Sequence, residues 1–232
     1  MKTLTLLLIL FTSTLNAANY DEKKDRAISS FQALSVNSGI EVYLTQGSAE
    51  KLTIETKGID ETDVKSEVRN GVLKIYIDRK DRNWSLGRNT YVKAYLTFKQ
   101  LNNLQASGGS NVFGQGSLSF NDLNVEASGG SNVTLALKAN KLNASASGGA
   151  DLKLEGSART LNADGSGGAD LDARKLTVDV CNANSSGGSD VYVNATRELS
   201  MKASGGSDIY YYGSANVVAK SESGGSDITH KN

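Results

Sequence analysis

Few residues in this chain could do chemistry. Cys181 and His230 are each the only one of their kind in 232 residues. One copy therefore cannot build a Cys/His zinc cage, a cysteine–histidine dyad or a disulfide. Cys181 falls in a column otherwise held by Leu123, Leu142, Leu161 and Leu199, so it reads as a small buried hydrophobe rather than a reactive thiol. His230 closes the last repeat as a polar finish, without an organised partner. Asn or Asp recurs in one register, Asn111, Asn132, Asp151, Asp170, Asp190, Asp208 and Asp227, the last five being carboxylates in succession. Stacked about 5 Å apart, each carboxylate pair repels by roughly 1 kcal/mol in water and about 3–4 kcal/mol at an effective dielectric near 20. Neighbouring Ser hydroxyls and Gly amides could offset this, as in Asx turns. Bound Ca²⁺ could also do so, but calcium-binding β-rolls use a different, nine-residue repeat, so the turn reading is preferred. Tyr192, Tyr210 and Tyr212 form an outward aromatic row. Such a row can stack on sugar rings or shield the end of a stack. These three are the candidate binding residues. No catalytic residue, metal ligand or cofactor site is assigned.

The elements that carry these residues follow from a repeat. The phrase Ser-Gly-Gly, then Ser or Ala, then Asn or Asp, then an aliphatic, starts at Ser107, Ser128, Ser147, Ser166, Ser186, Ser204 and Ser223, at intervals of 18 to 21 residues. A loose period near 20 marks a solenoid. After each phrase, Val112, Val133, Leu152, Leu171, Val191, Ile209 and Ile228 alternate with outward residues at period two, the pattern of a strand with one buried face. A second apolar column five residues before most phrases gives each coil at least two short strands bent apart by turns, with the Gly-Gly pair supplying positive φ at the corner. The chain is thus expected to be all-β: a parallel β-helix over 107–232, right-handed by the crossover rule. Gly pairs every 20 residues leave no room for helical repeats.

Residues 19–106 read as a β-rich head that caps the stack and continues its core. Val64–Arg69, Asn70-Gly71 and Val72–Asp78 spell a hairpin with a two-residue turn. A polar loop, Arg79–Asn89, carries Trp84. Met1-Lys2 followed by the apolar run Leu4 to Phe11 and small residues to Ala18 is a signal-peptide layout over residues 1–18, too short to span a bilayer. The mature chain is therefore expected to be exported, to the periplasm, cell surface or medium, with no membrane span. Lys and Arg total 25 against 25 Asp and Glu, so nothing draws it generally to nucleic acid or anionic membrane.

The segment Ser38-Gly39-Ile40-Glu41-Val42-Tyr43-Leu44-Thr45-Gln46-Gly47, with the recurrent Ser-Gly-Gly-Ser-Asp, resembles the bacterial family of auto-transporter adhesin, head GIN domain proteins. The resemblance covers nearly all of the mature chain, with Glu41 where the family name implies Asn. It implies an exported β-helical protein and an adhesin-like role. With the last repeat ending at Asn232 and no barrel following, self-export is not expected. Three function classes are weighed: a non-catalytic envelope or surface scaffold binding a glycan or protein, a glycan-active β-helix enzyme, and a structural or assembly protein. Catalysis needs one place where differently tuned groups converge, whereas Arg159, Arg174, Lys175 and Arg197 are scattered and the carboxylates repeat. The scaffold is the preferred reading.

Overall fold

The computed structural model describes residues 22–78 and 90–232. The signal segment and the Trp84 loop lie outside the described residues. Strands are the only extended elements: β1 (Glu22–Arg26), β2 (Ala33–Val36), β3 (Glu41–Gln46), β4 (Lys51–Lys57), β5 (Val64–Arg69), β6 (Val72–Ile77), β7 (Tyr91–Phe98), β8 (Asn103–Ala106), β9 (Asn111–Ser128), β10 (Asn132–Gly148), β11 (Asp151–Gly167), β12 (Asp170–Gly187), β13 (Asp190–Gly205), β14 (Asp208–Tyr212), β15 (Asn216–Gly224) and β16 (Asp227–His230). Among the described residues the one helical turn is a 3₁₀ piece at Glu61–Asp63, and no helix is long and apolar enough to cross a membrane.

From β9 onward the coils stack in parallel, each pairing along nearly its whole length with the next. The register is the one the repeat demands: Val133 beside Leu152, Leu142 beside Leu161, Leu161 beside Cys181, Cys181 beside Leu199. All of these side chains are buried in one continuous core. A single coil has no second layer to bury its apolar residues against, and its neighbours provide one. The expected pair of separate strands per coil is corrected. β9 to β13 run as unbroken strands of 16 to 18 residues, bending at register shifts such as the one between Ala173 and Thr177. In β9 to β13 only the Ser-Gly-Gly corner ends a strand, because bulges turn a strand without ending its pairing, whereas the last coil is also broken between β14 and β15.

The head grows from this stack along two faces. Along one, β9 pairs with β3, β3 with β7 in parallel, and β7 with β4 and β4 with β1 antiparallel. Along the other, β9 pairs with β8, β8 with β2 and β2 with β6 in parallel, and β6 with β5 antiparallel. The β5–β6 turn is the expected two-residue one, with Asn70 at φ 51° and Gly71 at φ 75°, as a type I′ hairpin requires. Glu61 is buried and accepts from Arg26 Nη2 at 2.7 Å while pairing with Lys24 at 2.8 Å, which pins the edge strand β1 against the 3₁₀ turn.

One feature of the head escaped the repeat reading. Asn37-Ser38-Gly39-Ile40-Glu41-Val42 lies directly below the first Ser-Gly-Gly phrase. The Ser107 N–H donates to Val36 O and the Asn111 N–H to Ile40 O, at 3.0 and 2.9 Å. Ser38 and Gly39 both have φ 73°, repeating the corner at Gly108 and Gly109. The first coil of the solenoid is therefore β2–β3, with Ile40 in the inward Ser/Ala column and Glu41 in the Asn/Asp column.

Candidate functional site

Two outward columns run up one face. The first is the carboxylate ladder, with Asp151, Asp170, Asp190, Asp208 and Asp227 paired in register. The phrase serines do not solvate it, contrary to the Asx-turn expectation. Ser131, Ser189, Ser207 and Ser226 point inward and are buried. The Ser189 and Ser207 hydroxyls donate to Ser186 O and Ser204 O at 3.0 and 2.9 Å, tying each corner closed. At its C-terminal end the ladder is relieved at Asp208, which accepts from the Tyr210 hydroxyl at 3.0 Å and the Asp227 N–H at 3.1 Å. Burial, then the charges of Asp170 and Asp208, push the Asp190 carboxyl above its ordinary pKa. Among the described residues, no group of three or more His, Cys, Asp or Glu side chains is placed to hold a metal ion.

The second column, two residues on, holds the aromatics. Tyr192 and Tyr210 sit side by side on adjacent coils with ring centroids 4.9 Å apart and planes 20° from parallel. Tyr212 lies on the same coil as Tyr210, level with Asn194, and is half-buried. The stack is closed at both ends by cations: the Arg174 guanidinium lies 4.1 Å from the Tyr192 centroid, and Lys231 Nζ 4.9 Å from that of Tyr210. Ring faces therefore meet protein, and edges and hydroxyls meet solvent. The ring faces on which a sugar could stack are thus occupied by Arg174, by Lys231 and by each other. The bond to Asp208, reinforced by burial, pushes the Tyr210 hydroxyl up to about 12, so it stays a donor at neutral pH.

The same column carries a second aromatic stack at the other end that the repeat reading did not single out. Tyr43 lies 5.3 Å from Tyr95 and 5.6 Å from Phe113, centroid to centroid, and the Tyr43 hydroxyl donates to Glu41 at 3.1 Å. Glu41–Tyr43 thus matches Asp208–Tyr210 across the length of the face. The signal was present as an acidic residue followed two places later by Tyr, and the differing head context hid it. Asparagines form another unforeseen column: Asn143 donates to Asn124, Asn162 to Asn143 and Asn182 to Asn162, at 2.5, 2.7 and 3.0 Å.

Of the remaining candidates, Cys181 is buried, which pushes its thiol up to about 12. His230 is exposed and stacks on Tyr211 at 4.7 Å. Neither joins the face.

Solved structures share this architecture. A protein from Bacteroides fragilis titled a "putative adhesin" superposes with a TM-score of 0.83 at 24% identity, over 90% of this chain and 96% of that one. A "putative lipid binding protein" from Parabacteroides distasonis gives 0.72 at 19% identity, over 93% and 98%. A "putative adhesin" from Parabacteroides merdae gives 0.71 at 18%, over 91% and 96%. No curated protein matches the chain. The family described as "Putative auto-transporter adhesin, head GIN domain" matches residues 30–215, and the chain belongs to it.

Proposed function

We propose that this is an exported, non-catalytic binding scaffold of the cell envelope or surface, adhesin-like in role, whose outward face recognises an extended glycan or protein. The observation that carries this reading is the Asp208–Tyr210–Tyr192 ladder. Hydroxyls and carboxylates recur there at the strand spacing of about 4.8 Å, fixed by stacking on a core-filled stack. A lattice of donors and acceptors with a repeat suits a partner with a repeat. Catalysis needs groups tuned apart at one point, and here the titratable groups repeat. Residues 1–18 act as the signal that sends the chain out, so the secreted protein should begin near Ala18 or Asn19.

The test is a panel of envelope and host polysaccharides, assayed for retention and for product release. Retention without product is expected. Tyr192→Phe with Tyr210→Phe and Tyr212→Phe should weaken retention several-fold at unchanged melting temperature, because the stack survives and the hydroxyls do not. Product release abolished by one Asp or Arg substitution would overturn the reading in favour of an enzyme. Retention indifferent to the three tyrosines would move the site elsewhere.

A further inference from the structure

A different side of the coil carries a groove. Phe120, Ala139 and Ala158 fall in register on β9, β10 and β11 and form the floor of an open depression of about 420 Å³. A second depression, of about 520 Å³, shares Ser119 and Phe120 with the first and extends past Asn121, Asp122, Gln100 and Asn102. Together they make one trough along the stacking axis. Phe120 is half-buried against Phe98, with centroids 6.0 Å apart. The trough is braced by Gln46, whose amide donates to Ser119 O and accepts from the Ser119 N–H, both at 2.8 Å.

The rim is polar and its charges are unequal. Lys138 and Arg159 are exposed and line the first depression, and neither closes an ion pair with a carboxylate among the described residues. This differs from Lys153, Lys175 and Arg174, which pair with Glu155 or Asp172. Asp179 also lines the first depression and Asp122 the second. Amides supply the other polar groups, Asn140 donating to Asn121 at 2.6 Å.

We infer that this trough binds a uronate-bearing polysaccharide, lying along the stack with a carboxylate between Lys138 and Arg159. Two free cations call for an anion, and a guanidinium fork matches a carboxylate. The carboxylates at Asp122 and Asp179 disfavour a dense polyanion such as a nucleic acid, which would need many cations in a row. The amides suit sugar hydroxyls, and the apolar floor suits the carbon-bound faces of the rings. The inference rests on the scaffold reading but uses residues apart from the tyrosine face.

The test titrates the mature protein with polygalacturonate, its fully methyl-esterified form, a neutral glucan of similar length, and dextran sulfate, a dense polyanion without uronate. Polygalacturonate should bind, weakening with added salt, and esterification should abolish binding. Lys138→Gln with Arg159→Gln, both at exposed positions, should cost about tenfold or more in affinity with melting temperature unchanged. Asp179→Asn should tighten binding. Dextran sulfate binding more tightly through the same two cations would overturn the uronate assignment, since the site would then read charge density. Failure of polygalacturonate to bind, or binding lost in the tyrosine variants and kept in the double Gln variant, would overturn the trough. A neutral polymer still retained through the tyrosines would leave the scaffold reading standing, whereas product release from any polymer would remove that reading itself.

Discussion

At Gly187 the backbone runs at φ 79°, and an added Cβ would meet Gly167 N and O at 3.1 Å. At Gly188 the nearest atom would be Gly167 O at 3.6 Å. The sequence treats the two glycines as one corner. The structure separates them, because in the last five copies only the first is left-handed. Gly187→Ala should therefore cost about 1–3 kcal/mol, while Gly188→Ala should be neutral or slightly stabilising; denaturant melts of the two variants decide it. The carboxylate ladder gives a second prediction at this scale. The folded-state pKa of Asp190 is raised, so its ionisation disfavours the native state. That cost is absent below the unfolded carboxylate range and complete once pH exceeds the raised value. Asp190→Asn should melt higher than the parent near neutrality, and the gap should close on acidification. A gap that widens in acid would contradict the ladder's repulsion.

At the scale of elements, the coils are held by what stacks in register rather than by what each strand contains. Leu161 touches the level of Leu142 below and Cys181 above and is fully buried. Its truncation to Ala removes packing from both interfaces and should cost about 2–5 kcal/mol. Leu161→Asp should prevent folding, since a buried charge there has no partner. The ends of the stack are finished differently. The N-terminal end passes into antiparallel strands on both faces. At the C-terminal end, Lys220 and Glu222 replace the inward apolar residues paired with them, Met201 and Ala203. Lys220 Nζ donates to Ile228 O at 3.0 Å and Glu222 accepts from the Ile228 N–H at 2.8 Å. β15 and β16 each pair on one side only, and the Lys220–Glu222 ion pair places charges at this open end, which disfavours pairing with another chain.

At the scale of the whole molecule, head and coils share one hydrophobic core from Phe31 to Ile228. Repeat proteins can melt in pieces when neighbouring units couple weakly. Here β8 and β3 of the head both pair with the first long coil, so the two parts should unfold as one unit. Leu73→Ala in the head and Leu161→Ala in the coils should each lower a single transition seen alike by calorimetry and circular dichroism. Two separated transitions would mean that the head is an independent domain.

The parallel stack from Asn111 onward, its register, the inward fate of Cys181 and the Asn70-Gly71 hairpin were all legible in the sequence. Each is dictated by local chemistry repeated at a fixed interval: alternation sets the buried face, and the phrase sets the phase. Three things were decided only in three dimensions. The coil at Asn37–Val42 has no Gly-Gly pair, and only its position beneath Ser107 shows that Ser38 and Gly39 make the same corner. Whether Tyr192 and Tyr210 show faces or edges depends on how far apart adjacent coils lie, which no single strand records. The trough joins Phe120, Lys138 and Arg159 across three coils, where each residue on its own strand is an ordinary outward position. Periodicity determines what lies inside a solenoid, because burial repeats with the chain, whereas its outward sites are assembled across coils, where only tertiary stacking sets which side chains meet.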